Sequence, residues 1–162
     1  MSIKEKLEQK IGEALGLEMA AQKAVDELSA RGLLDEAGMK SKLQTMRKQA
    51  NRHQMDVELL VQKLSKSEGL DSEAIQESAN ETEQKASQMM QTYLGDQPDA
   101  SEAIEFLCLA EGGEVSHYEV LSAFGRKVKD KKFAAKVKSI LTEEKRHLQL
   151  CTQLAKKVAI QA

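Results

Sequence analysis

A chain of 162 residues is long enough to bury a full core as one domain, and a formal net charge of -2 gives no overall reason to expect nucleic acid. No apolar run approaches the roughly 18 residues that span a bilayer. The opening MSIKEKLEQK lacks a signal-peptide apolar region, so a cytoplasmic chain without a membrane partner is expected. One proline, no tryptophan and abundant Ala, Leu, Glu, Lys, Gln and Met are the composition of an all-α protein.

The first amphipathic stretch runs from about residue 2 to 30. Leu7, Ile11, Leu15, Glu18, Gln22, Val25 and Leu28 recur there at steps of three and four, the spacing of a helix face turned to a core. Gly32 and Gly38 bracket a turn. A second stretch, 39–66, carries Met39, Leu43, Met46, Ala50, His53, Val57, Leu60 and Leu64 on its seam. Gly69 breaks the pattern, and Asp71 reads as an N-cap. Residues 71–93 are polar and weakly amphipathic, with Ile75, Ala79, Ala86, Met89, Met90 and Tyr93 as apolar positions. Two readings stay open for them: a crossover helix, about 34 Å long at 1.5 Å per residue, or a low-complexity linker. Gly95 and Pro98 end the piece, and Asp99 with Glu102 reads as a capping box. The next helix is expected over 99–128, with Ile104, Leu107, Glu111, Glu114, Tyr118, Leu121 and Gly125 on its seam. A basic turn leads to the last, over 131–160, whose seam is Phe133, Val137, Ile140, Glu144, His147, Cys151, Leu154 and Val158.

Short turns make the first two helices one antiparallel hairpin and the last two another. With 71–93 as a crossover, the expected architecture is a four-helix bundle in one domain, two hairpins joined by a long connection with an extra helix. Counting from the turns brings Glu18 level with Ala50 and His53. The same count brings Glu144 and His147 level with Tyr118 and Glu114, with Glu111 one turn deeper. If the seams face inward, the two polar clusters meet.

A buried ionised group without a partner costs several kcal/mol or shifts its pKa. Glu144 and His147, spaced i, i+3 on an apolar stripe, therefore need an explanation. A metal ion is the most economical one, since Glu-x-x-His places both ligands on one helix face. The competing reading is a satisfied buried hydrogen bond sealed by Tyr118.

The arrangement resembles the ferritin-like di-iron carboxylate superfamily, whose pattern is a Glu on each of two helices and Glu-x-x-His on each of the other two. Glu18 matches the first-helix glutamate, and Glu144 with His147 in LTEEKRHLQL resembles the fourth helix of rubrerythrins. Glu111 and Glu114 resemble the i, i+3 glutamates that rubrerythrins carry on helix 3. The run SHYEVLSAFG is similar to the His-Tyr-Glu stretch of rubrerythrins and of YciF-type ferritin-like stress proteins. The helical phasing turns Glu119 outward, while a shorter turn before the last helix would make Glu119 the ligand. The chain departs from the pattern at Ala50, where a glutamate is called for. Asp56 would replace it only if its helix rotated. Cys-x-x-Cys pairs of a rubredoxin domain are absent, which excludes a complete rubrerythrin.

The resemblance implies a metal set of Glu18, His53, Glu111, Glu114, Glu144 and His147, one or two Fe or Mn ions, and an oxidoreductase acting on O2, peroxide or Fe(II). It also implies a homodimer. The alternative is a bundle that kept the scaffold and lost the chemistry, a stress or interaction module. Cys108 and Cys151 read as reduced core thiols, His117 as a boundary residue, and the methionines as flexible packing. The basic run Arg126 to Lys138 and the acid-rich residues 71–119 read as solvated faces, or as surfaces for an anionic partner or a second copy.

Overall fold

The computed structural model describes residues 1–36 and 38–161. The described residues form five helices and no strand: α1 (Ile3–Ala30), α2 (Met39–Ser67), α3 (Ser72–Leu94), α4 (Ala100–Ser122) and α5 (Lys131–Ala159). Among the described residues, no helix is long and apolar enough to cross a membrane.

Local chemistry sets the ends. Ser2 with Glu5 and Asp99 with Glu102 form reciprocal capping boxes, each satisfying backbone N–H groups that an opening helix turn leaves free. Asp71 caps α3 through the amides of Glu73 and Ala74. Gly95 ends α3 at φ +65, a conformation that costs a residue with a Cβ. The polar stretch after Asp71 is thus a helix rather than a linker.

One boundary differs from expectation. α4 stops at Ser122 instead of running to residue 128. The amides of Ala123, Phe124 and Gly125 bond three residues back, to Val120, Leu121 and Ser122, which tightens the chain into successive turns. The Glu68 carboxylate, just past α2, accepts from the amides of Lys129 (2.7 Å) and Asp130 (3.3 Å). That contact ties the connection to α2, and Val128 is buried beside it.

Cross-helix pairs give the directions. Arg47 grips Asp26, and Gln22 meets Gln54, so α1 and α2 are antiparallel. Tyr118 reaches Glu18, and Asp56 and Arg52 meet Lys136 and Glu143. α1 and α2 therefore sit across from α4 and α5. α3 runs alongside α1 in the same direction, with Ser78 donating to the Gln9 carbonyl and Gln91 to Glu27.

α1 and α3 approach until their backbones nearly touch. A Cβ on Gly12 would lie 2.7 Å from the Ile75 carbonyl oxygen, and one on Gly16 would lie 2.4 Å from that of Ala79. The buried carboxylate of Glu8 accepts the Asp71 amide at 2.9 Å, and buried Glu83 pairs with Lys23. α1 thus buries two faces, one toward α2 and α4 and one toward α3.

The expected seams of α1, α2 and α5 are buried at every named position. They build two apolar clusters. One gathers Leu7, Ile11, Leu15, Val57, Leu64, Ile75 and Phe133. The other gathers Leu28, Leu34, Leu43, Met46, Ile104, Leu107, Cys151 and Leu154. Two positions expected on the apolar face of α3, Met89 and Tyr93, are exposed instead, because α1 covers α3 along the side bearing Ile75, Ala79 and Met90.

Candidate metal centre

A layer of charged side chains separates the two apolar clusters. Glu18, His53, Glu111, Glu114, Glu144 and His147 are each at most 3 % exposed. They come from α1, α2, α4 and α5, and the same three- and four-residue spacing that buries the leucines delivers them inward. Glu114 faces this layer. Glu119 is exposed and pairs with Lys145 at 3.0 Å, which settles the phasing of α4.

Two overlapping ligand groups result. Glu18, His53 and Glu144 each offer one atom within 4.8 Å of the others, and so do Glu111, Glu144 and His147. Glu144 belongs to both. In the first group, His53 Nδ1 lies 2.8 Å from Glu144 Oε1 and 3.3 Å from Glu18 Oε1, and the Tyr118 hydroxyl donates to Glu18 Oε1 at 3.0 Å. In the second, His147 Nδ1 lies 3.4 Å from Glu144 Oε2 and 3.7 Å from Glu111 Oε2. The imidazoles stack with ring centroids 5.8 Å apart. Glu114 belongs to neither group but stands beside both.

The outward ring nitrogens are already engaged. His147 Nε2 meets the Gln49 amide oxygen at 2.6 Å. A carbonyl oxygen only accepts, so Nε2 donates to it and Nδ1 turns to the carboxylates. His53 Nε2 meets Glu143 Oε1 at 3.1 Å, and Arg52 holds Glu143 in turn. Outer partners of this kind fix the tautomer and ring orientation of metal-bound histidines.

The inward atoms are not satisfied. Glu18 Oε2, Glu111 Oε2, both oxygens of Glu114, Glu144 Oε2 and His147 Nδ1 are buried without a hydrogen-bond partner. Leaving such groups unpaired costs about 1–3 kcal/mol each, more when charged. Four carboxylates and two imidazoles converging on one buried layer are a donor set that could hold a metal ion, and the orphaned atoms are those a cation would contact.

Protons answer part of the charge. Burial pushes Glu18 and Glu114 well above the usual carboxylate range, reinforced by Glu144 and Glu111 respectively. Burial likewise lifts Glu111 to about 7, although His147 pulls against it. Glu144 goes the other way. Burial opposes its charge, but the neighbouring imidazoles of His147 and His53 hold it well below the usual range. For the imidazoles burial favours the neutral form, yet Glu144 and Glu18 raise His53 to about 10, and Glu111 and Glu144 raise His147 to about 9. Burial keeps Tyr118 a phenol, hence a donor to Glu18.

Ala50 sits beside the layer, 3 % exposed, and offers no donor, so the α2 donor there is His53 alone. Asp56 does not supply one, since it pairs with Lys136 at 3.3 Å at the edge of the fold. α4 contributes two buried carboxylates, Glu111 and Glu114. Sequence spacing did not single out Gln49, Arg52 or Glu143. Their signal was adjacency: Glu143 precedes a ligand position, Arg52 precedes another, and Gln49 lies one helical turn before His53. No family model, curated protein or solved structure matches this chain.

Proposed function

We propose that this chain is a ferritin-like four-helix bundle that binds two divalent iron or manganese ions, with α3 as the crossover helix. In this reading Glu144 would be shared by both ligand sets. Glu18 and His53 complete one ion's set, Glu111 and His147 the other's, and Glu114 lies within reach of the pair. The observation that carries it is the contrast between the two sides of the layer: the outward nitrogens of both imidazoles are held by Glu143 and Gln49, while Glu18 Oε2, Glu111 Oε2, both Glu114 oxygens, Glu144 Oε2 and His147 Nδ1 face inward without a partner. Charge balance supports two ions. Four ionised carboxylates around two neutral imidazoles are neutralised by two divalent cations, and a buried layer tolerates little net charge.

Bound in pairs, such ions exchange electrons with O2 or peroxide, which is the basis for reading the chain as an oxidoreductase acting on O2, peroxide or Fe(II). The chain's own residues have definite tasks. Glu143 and Gln49 orient the rings. Tyr118 positions Glu18. Two apolar clusters exclude bulk water above and below the layer.

Anaerobic loading with Fe(II), desalting and elemental analysis test the reading. About two ions per chain are expected to remain, and the double variant Glu144→Ala, His147→Ala should retain none. Wild type holding no more metal than the double variant would overturn it. A second reading, a scaffold without chemistry, is favoured by one observation: Ala50 removes a carboxylate from α2. Stopped-flow mixing of loaded protein with peroxide separates the two, because a passive site gives no fast absorbance change.

A further inference from the structure

Mid-α4 carries a pair of residues that packing does not explain. Gly112 and Gly113 stand between Glu111 and Glu114, and glycine is the costliest helix-interior residue after proline. A Cβ on Gly12 or Gly16 would strike α3, whereas one on Gly112 or Gly113 would meet nothing within 4 Å. Alanine would fit at both. α2 and α5 hold their own layer donors without a single glycine. What glycine supplies and alanine does not is backbone freedom, and small-residue pairs are among the places where helices kink.

The next side chain is matched to that freedom. Glu114 is 1 % exposed, and neither of its oxygens has a partner. Of the layer's donors, it alone joins neither ligand group. As α4 stands, Glu114 is buried and bonded to nothing. A change of backbone at the two preceding residues would carry it along. Room for such a change exists, because Gly113 lines a groove of about 450 Å³ between α1, α3 and α4, which leaves open space on the outer side of the turn.

One contact holds the turn from outside. His117 Nδ1 donates to the Gly113 carbonyl at 2.8 Å, and Nε2 lies 3.2 Å from Glu13 Oε2 on α1. Lys10 fixes Glu13 in turn at 2.8 Å. A side chain bonded to a carbonyl four residues back competes with helical pairing, and such back-bonding bends helices. We propose that Gly112–Gly113 is a yielding step in α4, held by His117 and Glu13, which shifts to bring Glu114 onto the ions when the layer fills. The step rests on the metal reading and deepens it. His117 becomes a positioning residue, acting through the Gly113 carbonyl.

Amide exchange in the metal-free full chain tests the step itself. Protection at residues 113–118 should be at least about tenfold lower than at residues 144–149 of α5. His117→Phe, which removes both polar contacts, should lower it further. Gly112→Ala combined with Gly113→Ala should raise protection at least about tenfold and raise Tm. Calorimetric titration with Mn(II) tests the link to Glu114. The double alanine variant should bind Mn(II) at least about tenfold more weakly while being more stable, an inverse relation that a packing role does not give. Glu114→Gln should cost a similar factor in the wild type and less than about twofold in the alanine background. A wild type that takes up no Mn(II) would overturn the metal reading and this step together. With Mn(II) bound, equal protection in α4 and α5, undiminished affinity in the alanine variant, or additive losses with Glu114→Gln would each overturn the step and leave the metal reading standing. Unchanged protection in His117→Phe would overturn the positioning role of His117.

Discussion

The two lobes of the acidic layer share Glu144 and use the same residue types, yet they are prepared differently. Around His53 the contacts are short: 2.8 Å to Glu144 and a 3.0 Å bond from Tyr118 to Glu18. Around His147 the separations open to 3.4 Å from Glu144 and 3.7 Å from Glu111, and Glu111 Oε2, Glu144 Oε2 and His147 Nδ1 have no partner there, against Glu18 Oε2 in the first lobe. The outer partners differ as well, an ion-paired carboxylate behind His53 and a neutral amide behind His147. One lobe is closed by a 2.8 Å imidazole–carboxylate contact, while in the other the imidazole stands 3.4 Å or more from its carboxylates. A cation entering the His147 lobe displaces only these longer contacts, whereas one entering the His53 lobe must displace a short one.

Single-ligand variants test that asymmetry most strongly. His147→Ala is expected to weaken the first Fe(II) or Mn(II) by more than the roughly 100-fold that loss of an outer partner costs. His53→Ala should leave the first ion near its wild-type affinity and remove the second. Calorimetric titration of both variants checks this, and equal losses would erase the distinction between the lobes.

Proton competition comes next. The folded pKa values of His53 and His147, about 10 and about 9, lie above the usual 6.5. In metal-free protein their pairing with carboxylates therefore stabilises fully below about 6.5 and is lost as pH rises through about 9 to 10. Metal must expel these protons. Apparent affinity should rise at least about tenfold per pH unit between about pH 6 and pH 8, and the metal-induced gain in Tm should grow over the same span. A Tm gain independent of pH would show that no imidazolium is displaced.

Smallest is the effect of the outer partners. Glu143→Gln keeps a hydrogen bond to His53 but removes the charge, and Gln49→Leu removes the bond to His147. Losses of about 10- to 100-fold are the usual range, with Glu143→Gln confined to the second ion. Stoichiometry followed by elemental analysis across a chelator series measures both, and an effect of Glu143→Gln on the first ion would contradict the separation.

Much of this layer was legible in the chain. Three- and four-residue spacing placed Glu18, His53, Glu144 and His147 among leucines, and a buried seam must carry whatever stands on it to the interior. Glu111 and Glu114 followed from the same count, at the cost of an open alternative at Glu119. The lateral partners were not legible. Gln49 and Glu143 lie beside their seams, where polar residues ordinarily meet water, and only the packing of α2 against α5 turns them inward. α3 was harder still. Its packing depends on Gly12 and Gly16, and an absent side chain leaves no mark in a hydrophobic pattern. The early end of α4 depends on Glu68, distant in sequence, which accepts two amides beyond the turn.

Glu144 has one more consequence. A side chain within reach of two neighbouring positions would couple their occupancies, and by linkage whatever factor one guest imposed on the other's affinity would be returned unchanged. Its sign would follow from the balance between like-charge repulsion and the ordering of a common anion. Four helices deliver their donors separately, but any two guests there would be coupled through a single carboxylate.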